Sequence, residues 1–203
     1  MSGSMPGQPR RLVVLASGNG SNLQAVLDAC ASCVLNARVA AVLSDRLDAP
    51  ALDRARAAGI QAIALPVVAG QSRRDYDTAL ADLVLACQPD YVLLLGWMRL
   101  LSNAFLERFS GTVINLHPAL PGTFPGTHAI ERALAAFRAG AIRYTGVMTH
   151  FVPDEGVDSG PVIRIAKVPI RASDTFEDLE TRVHDAEHRI IIETIESLCD
   201  PRT

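Results

Sequence analysis

The stretch that decides the fold reads Arg11-Leu-Val-Val-Leu-Ala-Ser-Gly-Asn-Gly-Ser-Asn22. Its first half is an apolar run with the length of a buried parallel strand, and its second half is a Gly-rich turn. Apolar residues then recur at helical spacing (Leu23, Val26, Leu27 and Cys30), which predicts a helix directly after the turn. A strand that passes through such a turn into a helix is the repeating unit of α/β folds.

The same unit repeats along the first half of the chain. The pattern predicts further strands at 39–43, 60–65 and 91–95, with helices at 50–58 and 72–87 between them. Strands that alternate with helices at this spacing form a parallel sheet with right-handed crossovers and helices on both faces.

The rhythm changes after Gly96. The sequence predicts a short helix at 102–108, a strand at 112–115, a helix at 128–139 and strands at 145–152 and 162–168. The link between the last two strands is too short for a helical crossover, so these strands should pair antiparallel. A long amphipathic helix is predicted at 174–198, with Ser173 or Asp174 as its cap. The predicted fold is therefore a Rossmann-like open sheet, mostly parallel, with antiparallel strands in the C-terminal half.

Bulk properties fit one globular domain. The 203 residues are 49% hydrophobic and 20% charged, which is ordinary for a globular protein. We expect residues 1–10 to be a disordered leader or an expression remnant, and residues 11–203 to form a single domain. The net charge of −3 argues against a nucleic-acid partner, and no apolar stretch reaches the roughly 20 residues that span a bilayer. A cytoplasmic monomer or homodimer is expected.

The Gly-rich turn is the first candidate for chemistry. Its backbone N–H groups and the dipole of the following helix favour an anion such as a phosphate. The turn lacks the GK[ST] ending of a P-loop, and Leu23 stands where GxGxxG has its third Gly. The pattern thus favours a single phosphate or a mononucleotide over a dinucleotide, with a plain tight turn as the alternative.

Asn115 and His117 form the second candidate, at the carboxyl end of a predicted strand. They share one face of the strand, and three prolines in the next eight residues stiffen the chain behind them. An Asn amide can donate to an oxyanion, and a His can exchange a proton near neutral pH. A purely structural His is the alternative.

The third candidate is the acidic, Gly-rich connection at 153–161 between the two late strands. A solvated hairpin loop accounts for much of its composition. A carboxylate there could instead hold His117 and raise its pKa by charge proximity. The residues alone leave Asp154, Glu155 and Asp158 equally open.

The other histidines point less clearly to a site. His128 is predicted near a helix start, and His150 lies inside an apolar strand, as satisfied core histidines do. His184 and His188 are one helical turn apart, but the pattern offers no third ligand, so no metal is expected.

Four separated motifs carry a resemblance to a known family. They are Ser17-Gly-Asn-Gly-Ser-Asn22, Gly96-Trp-Met-Arg-Leu-Leu-Ser102, Asn115-Leu-His-Pro118 and Asp158-Ser-Gly-Pro161. In this order, from about residue 11 to residue 198, the chain closely resembles the phosphoribosylglycinamide formyltransferases, folate-dependent enzymes of purine synthesis.

The resemblance implies that the amine of glycinamide ribonucleotide attacks the formyl carbon of 10-formyltetrahydrofolate, without a metal. It implies that His117 donates a proton, that Asn115 binds the oxyanion, and that Asp158 keeps the histidine protonated and orients a relaying water. For the ribonucleotide phosphate it implies Gly18, Asn19, Gly20, Ser21 and Asn22, and for the ribose hydroxyls Glu187. For the folate it implies Met98, Arg99, Leu100, Leu101, Asn115, Asp154, Val157 and Asp158, with Arg73 near the folate tail.

The chain departs from the family pattern in two places. It has Ala119-Leu-Pro-Gly122 where the family usually continues Ser-Leu-Leu-Pro, and its acidic loop is one residue longer than is common. These departures affect the geometry of the loops and leave Asn115, His117 and Asp158 in place.

Other functions fit the sequence less well. A formyltetrahydrofolate deformylase would carry an N-terminal regulatory domain, and a methionyl-tRNA formyltransferase a C-terminal RNA-binding domain. A non-catalytic nucleotide sensor would have no use for Asn115, His117 and Asp158 together. A nicotinamide oxidoreductase is disfavoured because Asp45 lies about 27 residues after Gly18, where roughly 20 is typical.

Overall fold

In the computed structural model, which describes residues 8–199, the chain forms one seven-stranded sheet in the order β3-β2-β1-β4-β5-β6-β7. The strands are β1 (Arg10–Leu15), β2 (Ala37–Ser44), β3 (Gln61–Ala64), β4 (Tyr91–Leu94), β5 (Val113–His117), β6 (Tyr144–Phe151) and β7 (Val162–Pro169). The helices are α1 (Ser21–Ala31), α2 (Pro50–Ala57), α3 (Arg73–Ala86), α4 (Asn103–Leu106), α5 (Ala129–Arg138) and α6 (Phe176–Cys199). A 3₁₀ turn at Glu107–Phe109 follows α4.

The parallel half of the sheet is covered on both faces. Strands β1 to β5 pair parallel, with β1 between β2 and β4. Leu12 and Val14 of β1 pack in a core with α1, α2, α5 and α6, whereas Val13 and Leu15 pack in a second core with α3 and α4. Alternate side chains of one strand thus serve two hydrophobic cores, as the apolar run at its centre requires.

The C-terminal half of the sheet is antiparallel. β6 and β7 pair antiparallel, and the predicted fold class is confirmed. β5 and β6 also pair antiparallel, which no local sequence pattern predicts. The register places His150 opposite Asn115 and Met148 opposite His117.

The predicted cap of the last helix is wrong. Helix α6 begins at Phe176, and Thr175 caps it: the Asp178 N–H donates to Thr175 Oγ1 at 3.2 Å, and the Thr175 N–H donates to Asp178 Oδ2 at 3.0 Å. Such reciprocal bonds form a capping box. Asp174 is occupied elsewhere, because its carboxylate accepts bonds from the Arg171 N–H and the Arg182 guanidinium.

The first strand begins one residue earlier than predicted. Arg10, assigned by prediction to the leader, begins β1, and its N–H donates to the Asn36 carbonyl at 3.0 Å. Residues 1–7 of the predicted leader lie outside the described residues. Among the helices within 8–199, none combines the length and the apolar character needed to cross a bilayer.

Candidate active site

A cavity of about 720 Å³ opens where strands β4 and β5 end. Its walls come from the segment after β4, the end of β5, the start of α5, the β6–β7 loop and the inner face of α6. Among its lining residues are Asn22, Met98, Arg99, Leu100, Leu101, Asn115, His117, His150, Asp154, Val157, Asp158, His184 and Glu187. Open α/β sheets bind ligands at this edge, beyond the carboxyl ends of the strands.

His117 is the last residue of β5 and is almost fully buried, with 4% of its surface exposed. Its Nδ1 lies 3.3 Å from Asp158 Oδ2, and its Nε2 lies 3.1 Å from the Phe124 carbonyl oxygen. Both partners are acceptors. A neutral imidazole can donate to only one of them, whereas the imidazolium can donate to both. The contacts of the ring therefore favour the protonated form.

The pKa of His117 is nevertheless lowered below 6.5. Burial is the main cause, because it penalises the charged ring, and it outweighs the opposing effects of the Asp158 carboxylate and the Phe124 carbonyl. The predicted rise from Asp158 is thus present, but it does not set the direction of the net shift. The hydrogen-bond acceptors around His117 thus favour its protonated form, whereas its burial favours loss of the proton.

Asp158 is the acidic-loop residue that reaches His117. Its Oδ1 accepts from Asn115 Nδ2 at 2.9 Å, and its Oδ2 accepts from the Gly126 N–H at 2.7 Å. Burial alone would raise the pKa of Asp158, but the nearby imidazoles of His150 and His117 and the hydrogen bond from Gly126 lower it overall. The backbone is left-handed at this residue, with φ of 50°, a strained conformation for Asp. The carboxylate is therefore ionised and fixed in place.

The other two acidic candidates in the loop have different contacts. Asp154 Oδ1 accepts from the Gly156 N–H at 2.8 Å, a bond within the loop itself. Glu155 pairs with Arg73 Nη1 at 3.0 Å, and its second oxygen accepts from the Asn103 N–H at 2.9 Å. Neither carboxylate is bonded to His117.

His150 belongs to the same cluster, which sequence reasoning missed. It is buried and hydrogen-bonded, as predicted, but its Nε2 lies 3.1 Å from Asn115 Nδ2 and 3.5 Å from Asp158 Oδ1. Its Nδ1 faces the Phe151 carbonyl oxygen at 2.8 Å, so the neutral ring donates there and accepts from Asn115 at Nε2. The missing signal was the antiparallel register of β5 and β6, which places His150 opposite Asn115.

Asn22 and Glu187 form the opposite end of the cavity. Asn22 Nδ2 donates to Glu187 Oε2 at 3.2 Å, and Glu187 is 6% exposed. Burial raises the pKa of Glu187, and the bond from Asn22 and the charge of His184 only partly oppose it. Asn22 Oδ1 is buried and has no hydrogen-bond partner within residues 8–199. Two polar groups are thus available to a ligand here.

The Gly-rich turn is braced by helix α2. Gly20 has φ of 77°, and a Cβ there would lie 2.8 Å from the Ala51 Cβ. Arg54 donates from Nε to the Asn19 carbonyl and from Nη2 to Asn19 Oδ1, each at 2.9 Å. Of the five turn residues predicted to hold phosphate, only Asn22 lines the cavity. Arg54, which sequence reasoning missed, adds a positive charge beside the N-terminus of α1.

The predicted folate strip, Met98–Leu101, lines the cavity along its whole length. Met98 and Leu100 are 66% and 53% exposed, unusual for large apolar side chains and suited to contact with a flat ring. Arg73 does not line the cavity and is bonded to the Leu100 carbonyl and to Glu155. Within the described part of the chain, no group of three or more His, Cys, Asp or Glu residues is placed to hold a metal ion.

This fold and this cavity define an α/β enzyme with an Asn-His-Asp cluster at the end of its ligand cavity. The chain belongs to the formyl transferase family, whose model matches residues 10–195. The match includes all seven strands and every residue of the cluster.

Individual relatives agree with this family. The phosphoribosylglycinamide formyltransferase of Schizosaccharomyces pombe is 43% identical over 92% of this chain and 96% of its own length. The Escherichia coli enzyme of the same name is 43% identical over 94% of this chain and 88% of its own. The crystal structure of glycinamide ribonucleotide transformylase 1 from Symbiobacterium toebii superposes with a TM-score of 0.89 at 42% identity, covering 95% of this chain and 89% of that one.

Proposed function

We propose that the chain transfers the formyl group of 10-formyltetrahydrofolate to the amine of glycinamide ribonucleotide, a step of purine biosynthesis. The observation that carries the proposal is one cavity with two chemically different ends, in a chain 43% identical to phosphoribosylglycinamide formyltransferases over nine tenths of its length. The end with His117 can donate and accept protons. The end with Asn22 and Glu187 has polar groups that can bind hydroxyl groups and an anion.

The ribonucleotide is assigned to the Asn22–Glu187 end. The buried Glu187 carboxylate can accept hydrogen bonds from two ribose hydroxyls, which would repay its desolvation. The phosphate would bind at the N-terminus of α1, where the N–H groups of residues 18–22 and the Arg54 guanidinium supply positive charge. The amine would then point along the cavity towards Asn115 and His117.

The formyl folate is assigned to the Met98–Leu101 side, with its pterin between this strip and the β6–β7 loop. Val157 of that loop is 40% exposed and adds apolar surface opposite Met98 and Leu100. The folate serves as a co-substrate, and the proposed reaction involves no metal. We further propose that the domain begins at β1, that it acts in the cytoplasm on small molecules, without nucleic acid or membrane, and that it is a monomer or homodimer.

The reaction forms one C–N bond and breaks another. The ribonucleotide amine attacks the formyl carbon, and the carbonyl oxygen becomes an oxyanion that accepts from an Asn115 N–H and from the His117 imidazolium, whose Nε2–H turns from the Phe124 carbonyl to the substrate while its Nδ1–H stays on Asp158. The bond from the carbon to N10 of the folate then breaks, and N10 takes the proton of His117. The proton lost by the attacking nitrogen returns to His117 through a water held by Asp158, so protons balance over the cycle.

Asn115 has to change partners for this chemistry. Its two N–H groups now serve Asp158 Oδ1 and His150 Nε2. A developing oxyanion is a stronger acceptor than a neutral imidazole, so the N–H directed at His150 is the one expected to turn towards the substrate. Asp158 would keep the other and so hold the amide plane.

The test is to follow formyl-folate consumption by absorbance with and without glycinamide ribonucleotide. Consumption is expected only when the ribonucleotide is present, because the amine is the nucleophile. Equal rates without it would reject the transferase and support a deformylase, which transfers the formyl group to water. Tight binding of the ribonucleotide without any turnover would support a non-catalytic nucleotide-binding protein.

A further inference from the structure

Arg73 joins two walls of the cavity without lining it. Its Nε donates to the Leu100 carbonyl at 2.9 Å, and its Nη1 pairs with Glu155 Oε2 at 3.0 Å. Leu100 belongs to the strip after β4, and Glu155 belongs to the β6–β7 loop. One guanidinium therefore bridges the two segments that flank the folate side of the cavity.

Glu155 ties its loop to the protein through both carboxylate oxygens. While Oε2 is bound to Arg73, Oε1 accepts from the Asn103 N–H in the first turn of α4. Three residues later, the carboxylate of Asp158 accepts from Gly126 and Asn115. The span from Glu155 to Asp158 is thus anchored at each end by contacts with the rest of the protein.

The inner side of Arg73 faces a buried charge. Its Nε lies 3.9 Å from Asp77 Oδ2, and Asp77, which is 1% exposed, accepts from the Ser102 N–H at 2.6 Å. Removing the guanidinium would leave Asp77 without its cation and would destabilise the protein. Glu155 neutralises no buried charge of this kind. Its side chain is 42% exposed, so removing the charge of its carboxylate should cost little stability.

We propose that Arg73 and Glu155 are positioning residues that act as a clamp: they hold the acidic loop at the correct distance from the Met98–Leu101 strip. The clamp thereby sets the affinity for the pterin and the placement of Asp158. This inference rests on the proposed function, and it gives Arg73 a role beyond the expectation that it lies near the folate tail.

The test uses Glu155→Gln and Arg73→Lys. The first preserves the size of the side chain, and the second keeps a positive charge near the buried Asp77. Each is expected to raise KM for the formyl folate about 5-fold, the size of one exposed ion pair, and to change KM for the ribonucleotide less than about twofold. The two effects should be less than additive in the double variant, because both substitutions weaken the ion pair between these residues. Glu193→Gln, in an equally exposed ion pair on α6, is the matched control and should leave both KM values unchanged.

A donor without the glutamate tail, a formyl-tetrahydropteroate, separates the clamp from a direct contact. The clamp predicts that the 5-fold effect persists with this donor, because the pterin is still bound. Loss of the effect with the shortened donor would overturn the proposal, as would unchanged folate KM values in both variants.

Direct binding separates this inference from the proposed function. Trp97 is the chain's one tryptophan and lines the cavity, so quenching of its fluorescence reports folate binding without turnover. If the wild-type protein failed to transfer the formyl group, a weaker folate Kd in Glu155→Gln would still support the clamp. An unchanged Kd would refute it.

Discussion

The two ends of the cavity differ in how completely their polar groups are satisfied. Around His117, every side chain of the cluster has protein partners: Asn115 is bonded to Asp158 and His150, and His117 to Asp158 and Phe124. At the other end, Glu187 is buried with a single hydrogen bond from Asn22, whose own Oδ1 has none within the described residues. The first end is preorganised for a reaction, and the second is incomplete until a ligand supplies hydroxyl groups.

This difference separates the kinetic parameters that each end should control. Preorganised donors act on charge that develops in the transition state, so their loss lowers kcat. Groups that a ligand must satisfy contribute in the ground state as well, so their loss raises KM.

The largest effect is expected at the preorganised end. His117→Ala and Asp158→Asn should each lower kcat by at least ~100-fold, because the proton donor or the group that orients it is lost. Steady-state kinetics with both substrates would show KM for the ribonucleotide within about threefold of wild type. Asp53→Asn, which neutralises an exposed carboxylate on α2, is the control and should be fully active. Near-normal kcat in either variant would refute the roles of these residues.

The next effect is expected at Glu187. Glu187→Gln should raise KM for the ribonucleotide by about 10- to 100-fold, since hydrogen bonds to a charged group contribute roughly 1.5–3 kcal/mol. Its kcat should stay within about threefold, because Glu187 is remote from the reacting atoms in the proposed arrangement. Kinetics at saturating folate would measure both. A drop in kcat at unchanged KM would show that Glu187 acts on the reaction step, and that the two ends of the cavity do not control separate kinetic parameters.

Substitution of Gly20 tests the shape of the Gly-rich turn without changing any charged group. An alanine at Gly20 or at Gly59 must adopt positive φ, which costs roughly 1–2 kcal/mol. Gly20→Ala adds a clash with Ala51, whereas a Cβ at Gly59 meets nothing within 4 Å. Chemical denaturation should show Gly20→Ala as the less stable of the two, and kinetics should show a raised ribonucleotide KM for it alone. Equal behaviour of the two variants would mean that the turn tolerates displacement.

The smallest effect is a shift in the titration of His117. The Asp158 carboxylate raises the pKa of His117 against the stronger effect of burial, so Asp158→Asn should lower that pKa further. In NMR titration of the imidazole, the wild-type pKa is expected below 6.5, and the variant's pKa below that of the wild type. A higher pKa in Asp158→Asn would contradict this account.

Sequence reasoning succeeded where periodicity carries the information. The βαβ rhythm predicts β1 to β4, and the short link predicts the antiparallel pairing of β6 and β7, because both follow from local patterns and chain length. The pairing of β5 with β6 depends on how the chain after α5 docks on the sheet, which no local pattern records. For this reason the sequence predicted a buried, hydrogen-bonded His150 but did not place it beside Asn115.

Side-chain partners were predicted less well than strands. Asp174 has the composition of a helix cap, yet Arg182 and the Arg171 N–H occupy its carboxylate, so Thr175 caps α6 instead. The residues alone left Asp154, Glu155 and Asp158 open, because the choice among them depends on contacts with Arg73, Asn103 and Gly126 that are distant in the chain. Arg54 was missed for the same reason.

The antiparallel pairing of β6 with β7 has a consequence for how this enzyme can diversify. In a purely parallel sheet, the segments at the ligand edge are connections into helices, and a length change there displaces a helix. Here the acidic loop is the tip of a hairpin, so residues can be added or removed while β6 and β7 keep their register. The β6–β7 hairpin therefore allows the length of the acidic loop to vary while the parallel strands keep their positions, and the extra residue that the family resemblance implies in this loop would be a change of this kind.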